Sequence, residues 1–232
     1  MDDLEQTFLE MKALYDADPV SAVRGQHFIK TLHSYIAKEL QSRLHPTAIR
    51  AGVEVQEEST IFGSHKTKDV DVAIIHPTSG PLILVGVRSQ MSSVGKNVLT
   101  YYQDIVGEAV SLQDRFPMAV HSYVYLHPMS YTDEKKEKNN QGAVGNRIVP
   151  DHARYAKMYR AISGRDDRLF RHMTGIYDEF AYIVVDFENP GVMLRDDIVK
   201  KAVADFDMSI TTFVDRVVET YNRRNLWFDL FI

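Results

Sequence analysis

The chain contains no cysteine. This absence excludes disulfide bonds, zinc sites built from thiolates and cysteine nucleophiles. The sequence also has no apolar run that approaches the roughly 18 residues needed by a membrane-spanning helix. Its first residues, MDDLEQTFLEMKAL, are acidic and amphipathic, unlike a cationic signal peptide. We therefore expect a cytoplasmic protein without a membrane partner.

An excess of positive charge is missing as well, because the formal net charge is -5 at pH 7. This value argues against a protein that coats nucleic acid without specificity. The same net charge is compatible with a site-specific nucleic-acid binder, which needs only a local basic surface. The apolar fraction of 44% and the charged fraction of 25% are ordinary for a globular protein. A chain of 232 residues suits one large domain, so we treat residues 1–232 as a single domain.

The order of the predicted elements indicates an α/β (α+β) fold with three layers, in which helices flank a central mixed sheet. The apolar run FAYIVVDF predicts a strand in the sheet interior. The core then comprises about residues 21–126 plus the strand at 180–187, and residues 194–232 form a helical closure. Helices are predicted over 2–16, 21–44, 94–114, 151–163, 165–173, 194–204 and 208–223, and strands over 52–58, 69–76, 81–88, 118–126 and 180–187.

Two apolar runs flank a Pro-Thr-Ser-Gly turn in DVDVAIIHPTSGPLILVGVRSQ, which predicts a β-hairpin over residues 69–90. Side chains alternate faces along a strand, so Asp71 and Arg88 are expected to project onto one surface, with space left beside them by Gly86. A surface ion pair that contributes little to stability is the alternative interpretation.

An acid on one strand, a turn, a cation at the end of the next strand and a following helix resemble the PD-(D/E)XK nuclease family, and its restriction endonucleases most of all. The core of that family is a helix, three meandering strands, a helix and a further strand, which fits residues 21–126. The resemblance implies that Asp71 holds a divalent metal. It also places Gly86-Val87-Arg88 where the family has Glu-x-Lys, so both signature residues differ.

Some restriction enzymes keep a small residue in the Glu position and supply the acid from the next helix. Here that helix offers Asp104 and Glu108, which are four residues apart and share a face. The resemblance then implies Mg²⁺ held by Asp71 and Glu108, joined by Glu54 or Glu57 of the preceding strand. Mg²⁺ prefers hard oxygen ligands and lowers the pKa of its water.

Two cations have implied roles at this site. Arg88 would contact the scissile phosphate, because a guanidinium clamps phosphate oxygens but does not readily act as a base. Lys96, at the start of the helix, would be a lysine that has moved from the usual position. The histidines have no spacing typical of a zinc site; His27 and His33, for example, are six residues apart.

Residues 127–175 are the most basic region of this acidic chain, and we predict that they form a DNA-contacting insertion. Cations suit phosphates, whereas amides and arginines suit base edges. A solvated helix with ordinary charge pairing is the alternative. The predicted contacts are Arg147, Arg154, Lys157 and Arg160, with Asn140 as a base reader.

The resulting hypothesis is a Mg²⁺-dependent DNA endonuclease of the type II restriction class that acts on duplex DNA as a homodimer. Two-fold symmetry would match palindromic DNA, and the terminal WFDLFI either packs on its own sheet or forms the dimer interface. A cognate methyltransferase would be a functional rather than a physical partner. The alternatives are a catalytically inactive nuclease fold that binds DNA or a partner, and an unrelated α/β metabolic protein.

Overall fold

The computed structural model describes residues 3–19, 22, 25–132, 146–165, 176–189, 191 and 193–232. The helices are α1 (Asp3–Ala17), α2 (His27–Ser42), α3 (Pro46–Arg50), α4 (Val94–Arg115), α5 (His152–Arg160), α6 (Asp196–Ala202) and α7 (Phe213–Arg224). The strands are β1 (Glu54–Phe62), β2 (Thr67–His76), β3 (Gly80–Ser89), β4 (Val120–Pro128), β5 (Tyr131–Thr132), β6 (Arg147–Ile148) and β7 (Glu179–Val185).

A five-stranded mixed sheet with the order β1-β2-β3-β4-β7 forms the centre of the described structure. The meander β1-β2-β3 is antiparallel. Strand β4 then joins β3 in parallel after the α4 crossover, and β7 joins β4 in parallel. The expected central mixed sheet is therefore confirmed, and a two-stranded ribbon of β5 and β6 lies outside it.

Helices cover both faces of this sheet. Strands β4 and β7 are buried along their whole length, which explains their almost continuous apolar sequences. One face packs against α1, α2 and α7. The other face packs against α4, α5 and α6 through a cluster rich in tyrosine and phenylalanine. No helix in the described ranges is both long and apolar enough to cross a membrane.

The C-terminal region differs in detail from the sequence-based expectation. The helix predicted from residue 208 begins at Phe213, because Asp207 accepts hydrogen bonds from the Ser209 backbone N–H and the Thr212 hydroxyl in a turn that precedes it. At the terminus Phe231 is buried, whereas Trp227 is 71% exposed, so WFDLFI packs only in part. Most of the helix predicted over 165–173 lies outside the described residues.

Candidate functional site

Strands β2 and β3 stop pairing with each other just before Asp71. Their antiparallel ladder runs from His76↔Gly80 to Val72↔Val85. Beyond it, Oδ2 of Asp71 accepts a hydrogen bond of 2.6 Å from the Val87 backbone N–H, in the place of a strand partner. Strand β3 continues beside β4, so the two strands of the hairpin part at this carboxylate. This opening is where the candidate site lies.

Asp71 is surrounded by charges from both helical layers. Burial raises the pKa of its carboxyl group, and Glu108 of α4 raises it further. The opposing influences are His33 of α2, the Val87 N–H and Lys68, which favour the carboxylate. Nε2 of His33 lies 3.8 Å from Oδ1 of Asp71. The Asp71 side chain remains 24% exposed, so a small ligand can reach it.

Glu108 points into the protein from α4 on the same stripe as the buried Ile105 and Leu112. Only 8% of Glu108 is exposed, and its Oε1 lies 2.9 Å from Nζ of Lys68. A carboxylate buried to this extent needs such a partner, because desolvation of an unpaired charge is costly. Lys68 was missed from the sequence, where it belongs to the polar stretch GSHKTK and has nothing to distinguish it from its neighbours.

Arg88 lies at the far end of β3, beside Tyr125 of β4. Its guanidinium stacks over the Tyr101 ring at 4.7 Å, and Nη1 is 3.9 Å from Oδ2 of Asp104. Nη1 is nevertheless buried without a hydrogen-bond partner among the described residues. Burial opposes the charge on Arg88, but the Tyr123 hydroxyl and Glu108 raise its pKa. A buried donor of this kind suits an anionic ligand.

Asp71 and Arg88 share one electrostatic influence. Burial acts most strongly on the pKa of both groups, and Glu108 raises both pKa values to a lesser degree, at Asp71 less than His33, the Val87 N–H and Lys68 lower it and at Arg88 less than Tyr123 raises it. No direct contact between Asp71 and Arg88 is found within the described part of the chain. Their convergence on one surface stays a prediction, and the direct contact that the structure shows among these charged groups is that of Lys68 with Glu108.

Gly86, in the position of the family's Glu, has no room for a side chain. A Cβ atom built there would lie 2.5 Å from Cε2 of Tyr123. Tyr123 is 3% exposed and is held in place by a stacked contact with Phe180, at 5.6 Å between ring centroids. The tyrosine ring therefore fills the space that the missing acid would enter.

The structure does not bring Glu54 to this group. Glu54 pairs with Ile75, four residues along β2 from Asp71. At about 3.3 Å per residue, that separation is roughly 13 Å. Glu57 accepts a hydrogen bond from the Ser34 hydroxyl at 2.9 Å. Glu54 is therefore too far from Asp71 to be the third carboxylate ligand expected from β1.

The remaining residues near the strand ends have local roles. Asp69 accepts a hydrogen bond from Thr60 at 2.6 Å across β1 and β2. Gln90 accepts one from the Tyr125 hydroxyl at 2.7 Å and donates to the Ser93 carbonyl, so it anchors the loop that leads into α4. Lys96 is exposed in the first turn of α4.

The donor chemistry fits a hard divalent ion, although the ligand set is small. Asp71 and Glu108 offer carboxylate oxygens, and Mg²⁺ is commonly bound by one or two carboxylates together with waters and substrate oxygens. In the parts of the chain that the structure describes, no group of three or more His, Asp or Glu side chains is placed to hold one ion.

The cations predicted to contact DNA differ in their surroundings. Arg154 and Lys157 are exposed on α5. Arg160 is held by Asp205 at 2.9 Å and lies over the Phe206 ring at 4.6 Å. Arg147 of β6 forms an ion pair of 2.7 Å with Glu188. The predicted base reader Asn140 lies outside the described residues, as do further cations of the basic region 127–175, namely Lys135, Lys136, Lys138, Arg168 and Arg171.

Comparison of this chain with protein-family models, with curated proteins and with solved structures finds no match. The resemblance to PD-(D/E)XK nucleases thus rests on the residues of the hairpin and on the order of the elements.

Proposed function

We propose that this protein is a Mg²⁺-dependent DNA endonuclease, similar to type II restriction enzymes, that hydrolyses phosphodiester bonds in duplex DNA. The observation that carries the proposal is the parting of β2 and β3 at Asp71, whose carboxylate accepts a hydrogen bond from the Val87 backbone N–H where the strand ladder ends. The succession of α2, the β1-β2-β3 meander, α4 and β4 supports a restriction-endonuclease-like core.

Each of four side chains has a proposed task. Asp71 and Glu108 are the carboxylates that would hold the ion. When bound, a divalent ion lowers the pKa of its water and neutralises charge at the scissile phosphate. Lys68 orients Glu108 through their contact of 2.9 Å. Arg88 steadies the phosphate, because a guanidinium matches the geometry of phosphate oxygens and its Nη1 has no hydrogen-bond partner among the described residues.

The duplex is engaged by the exposed side of α5, where Arg154 and Lys157 contact phosphates. A homodimer would present two such sites to the two strands of a symmetric sequence. The exposed side chains of Leu226 and Trp227 are the surface for this association. Trp227 also borders a cavity of about 250 Å³ together with Met118. Light scattering after size-exclusion chromatography measures the oligomeric state.

The direct test is conversion of supercoiled plasmid to nicked and linear forms, with Mg²⁺ and with EDTA. The wild-type chain should cut only with the metal, and Asp71→Asn should remove cutting. Asp69→Asn is the matched control, because Asp69 is on the same strand but hydrogen bonds to Thr60. Equal cutting by wild type and Asp71→Asn would refute the assignment.

A second candidate function is DNA binding without catalysis. It is favoured by the Tyr123 ring, which fills the space next to Gly86, and by the absence of a three-acid group among the described residues. In that case the chain should retard duplex DNA in a gel at low salt, where phosphate contacts are strongest. It should then leave the DNA intact with every divalent ion.

A further inference from the structure

His33 is a buried histidine without a visible structural task. It lies on α2 with 3% of its surface exposed. Neither Nδ1 nor Nε2 has a hydrogen-bond partner among the described residues. Buried polar groups are normally hydrogen bonded, and an exception calls for an explanation such as a bound ion or water. Among the described residues, the acidic atom that lies within 4.0 Å of Nε2 is Oδ1 of Asp71, at 3.8 Å.

The separation of these two atoms suits a shared cation. An ion that binds imidazole nitrogen and carboxylate oxygen lies about 2.1–2.2 Å from each. For atoms 3.8 Å apart, such an ion would subtend an angle of about 125°. Burial lowers the pKa of His33, although Asp71, Glu58 and Glu57 act in the opposite direction, so the imidazole is kept in the neutral form that binds a metal ion. Glu57 contacts Ser34 and Glu58 contacts Lys30, so His33 is the donor that this inference adds to the proposed ligands Asp71 and Glu108.

We propose that Nε2 of His33 and the carboxylate of Asp71 together bind a divalent transition ion of the Mn²⁺ class, in preference to Mg²⁺. The inference rests on the proposed function, because Asp71 is the shared ligand. Mg²⁺ is bound almost wholly by oxygen, whereas imidazole suits the first-row transition metals. An imidazole ligand therefore shifts the preference of the site from Mg²⁺ to a transition ion. It does so without a third carboxylate ligand in addition to Asp71 and Glu108.

Metal binding by the full chain without DNA tests this inference independently of cleavage. The EPR signal of free Mn²⁺ is followed during titration of wild type, His33→Gln, Asp71→Asn and His27→Gln, with Mg²⁺ as the competitor. His27→Gln is the matched control, since His27 is exposed on the same helix. His33→Gln should weaken Mn²⁺ binding by at least about 10-fold, the scale on which loss of a supporting residue acts at metal sites. Mg²⁺ affinity should change far less, and Asp71→Asn should weaken both ions.

The outcomes separate the two claims. Mn²⁺ binding by His33→Gln equal to wild type, with binding lost in Asp71→Asn, overturns the role of His33 and leaves the nuclease proposal standing. Failure of wild type to bind Mn²⁺ overturns the inference, and the plasmid assay with Mg²⁺ then decides the function separately. Pulsed EPR of the wild-type complex needs no variant. Modulation from a coordinated nitrogen supports the inference, and its absence from bound Mn²⁺ overturns it.

Discussion

Substitution of Gly86 by alanine tests how tightly Tyr123 closes the site. The new Cβ atom would lie 2.5 Å and 2.6 Å from two carbons of the Tyr123 ring, closer than carbon atoms approach in proteins. The ring cannot simply turn away, because it packs between Phe180 and Tyr177, at centroid distances of 5.6 Å and 5.3 Å. Overpacking of this kind costs about 1–3 kcal/mol. For a chain of this size, the melting temperature should fall by roughly 2–4 °C per kcal/mol.

A double-mutant cycle with Tyr123→Ala isolates the contact. Tyr123→Ala alone should destabilise the protein by about 3–5 kcal/mol, as for other large aromatic deletions in a core. In that background Gly86→Ala should cost close to nothing, since the atoms it meets are gone. Gly107→Ala is the control, because a Cβ atom there meets nothing within 4 Å on the exposed side of α4. It should stabilise the helix by about 0.5–1 kcal/mol.

Thermal and urea unfolding of the four proteins of the cycle, and of the Gly107→Ala control, measure these free energies. The reasoning about the closed site predicts a coupling of about 1–3 kcal/mol between positions 86 and 123. An unchanged melting temperature for Gly86→Ala would refute it. So would an equal cost of that substitution with and without the Tyr123 ring.

Three further predictions concern charge. Lys68→Met should destabilise the fold by about 1–3 kcal/mol in urea unfolding, because the buried Glu108 loses its partner. The control Lys66→Met, at an exposed position, should change the stability little. Equal effects of the two substitutions would contradict a stabilising role for the Lys68–Glu108 contact. Burial lowers the pKa of His121 to about 4, below its usual value near 6.5. The unfolded chain therefore binds more protons than the folded one between these pH values, so stability should fall as pH decreases from 6.5 towards 4. The variant His121→Gln should show a smaller decrease in melting temperature over this range. An identical pH profile for wild type and variant would contradict the role of His121. Arg154→Ala and Lys157→Ala should each reduce the slope of log affinity for DNA against log salt by about 1, while Lys201→Ala on α6 should not; unchanged slopes would remove α5 from the interface.

Much of the fold could be predicted from the sequence, because the alternation of apolar residues in strands and their helical periodicity are strong in its core. The turn at Pro77–Gly80 and the flanking apolar runs predicted the β2-β3 hairpin to within two residues. Strand β1 was predicted to end at residue 58 but continues to Phe62. This end of β1 lies at the edge of the sheet, and only Ile61 of its last four residues is buried, so pairing with β2, rather than apolar alternation, determines its length.

The site was accessible only in part, because its chemistry depends on contacts between distant segments. The four-residue spacing of Asp104 and Glu108 indicated one helix face, and the structure buries Glu108 while Asp104 stays exposed. Nothing in the sequence pairs Glu108 with Lys68, which is 40 residues away. His33 resembles any histidine on the apolar side of a helix until Asp71 is placed opposite it. The space occupied by Tyr123 likewise depends on the parallel pairing of β3 and β4.

The central claim is that the carboxylate of Asp71 binds a divalent cation at the opening between β2 and β3. Anomalous diffraction from crystals soaked in Mn²⁺ tests this most directly, because it locates the ion and identifies its ligands. The account predicts an anomalous peak about 2.2 Å from an oxygen of Asp71, with Nε2 of His33 also within bonding distance. Crystals soaked in Mn²⁺ that show no anomalous peak at Asp71, or peaks only at other acids, would contradict the account.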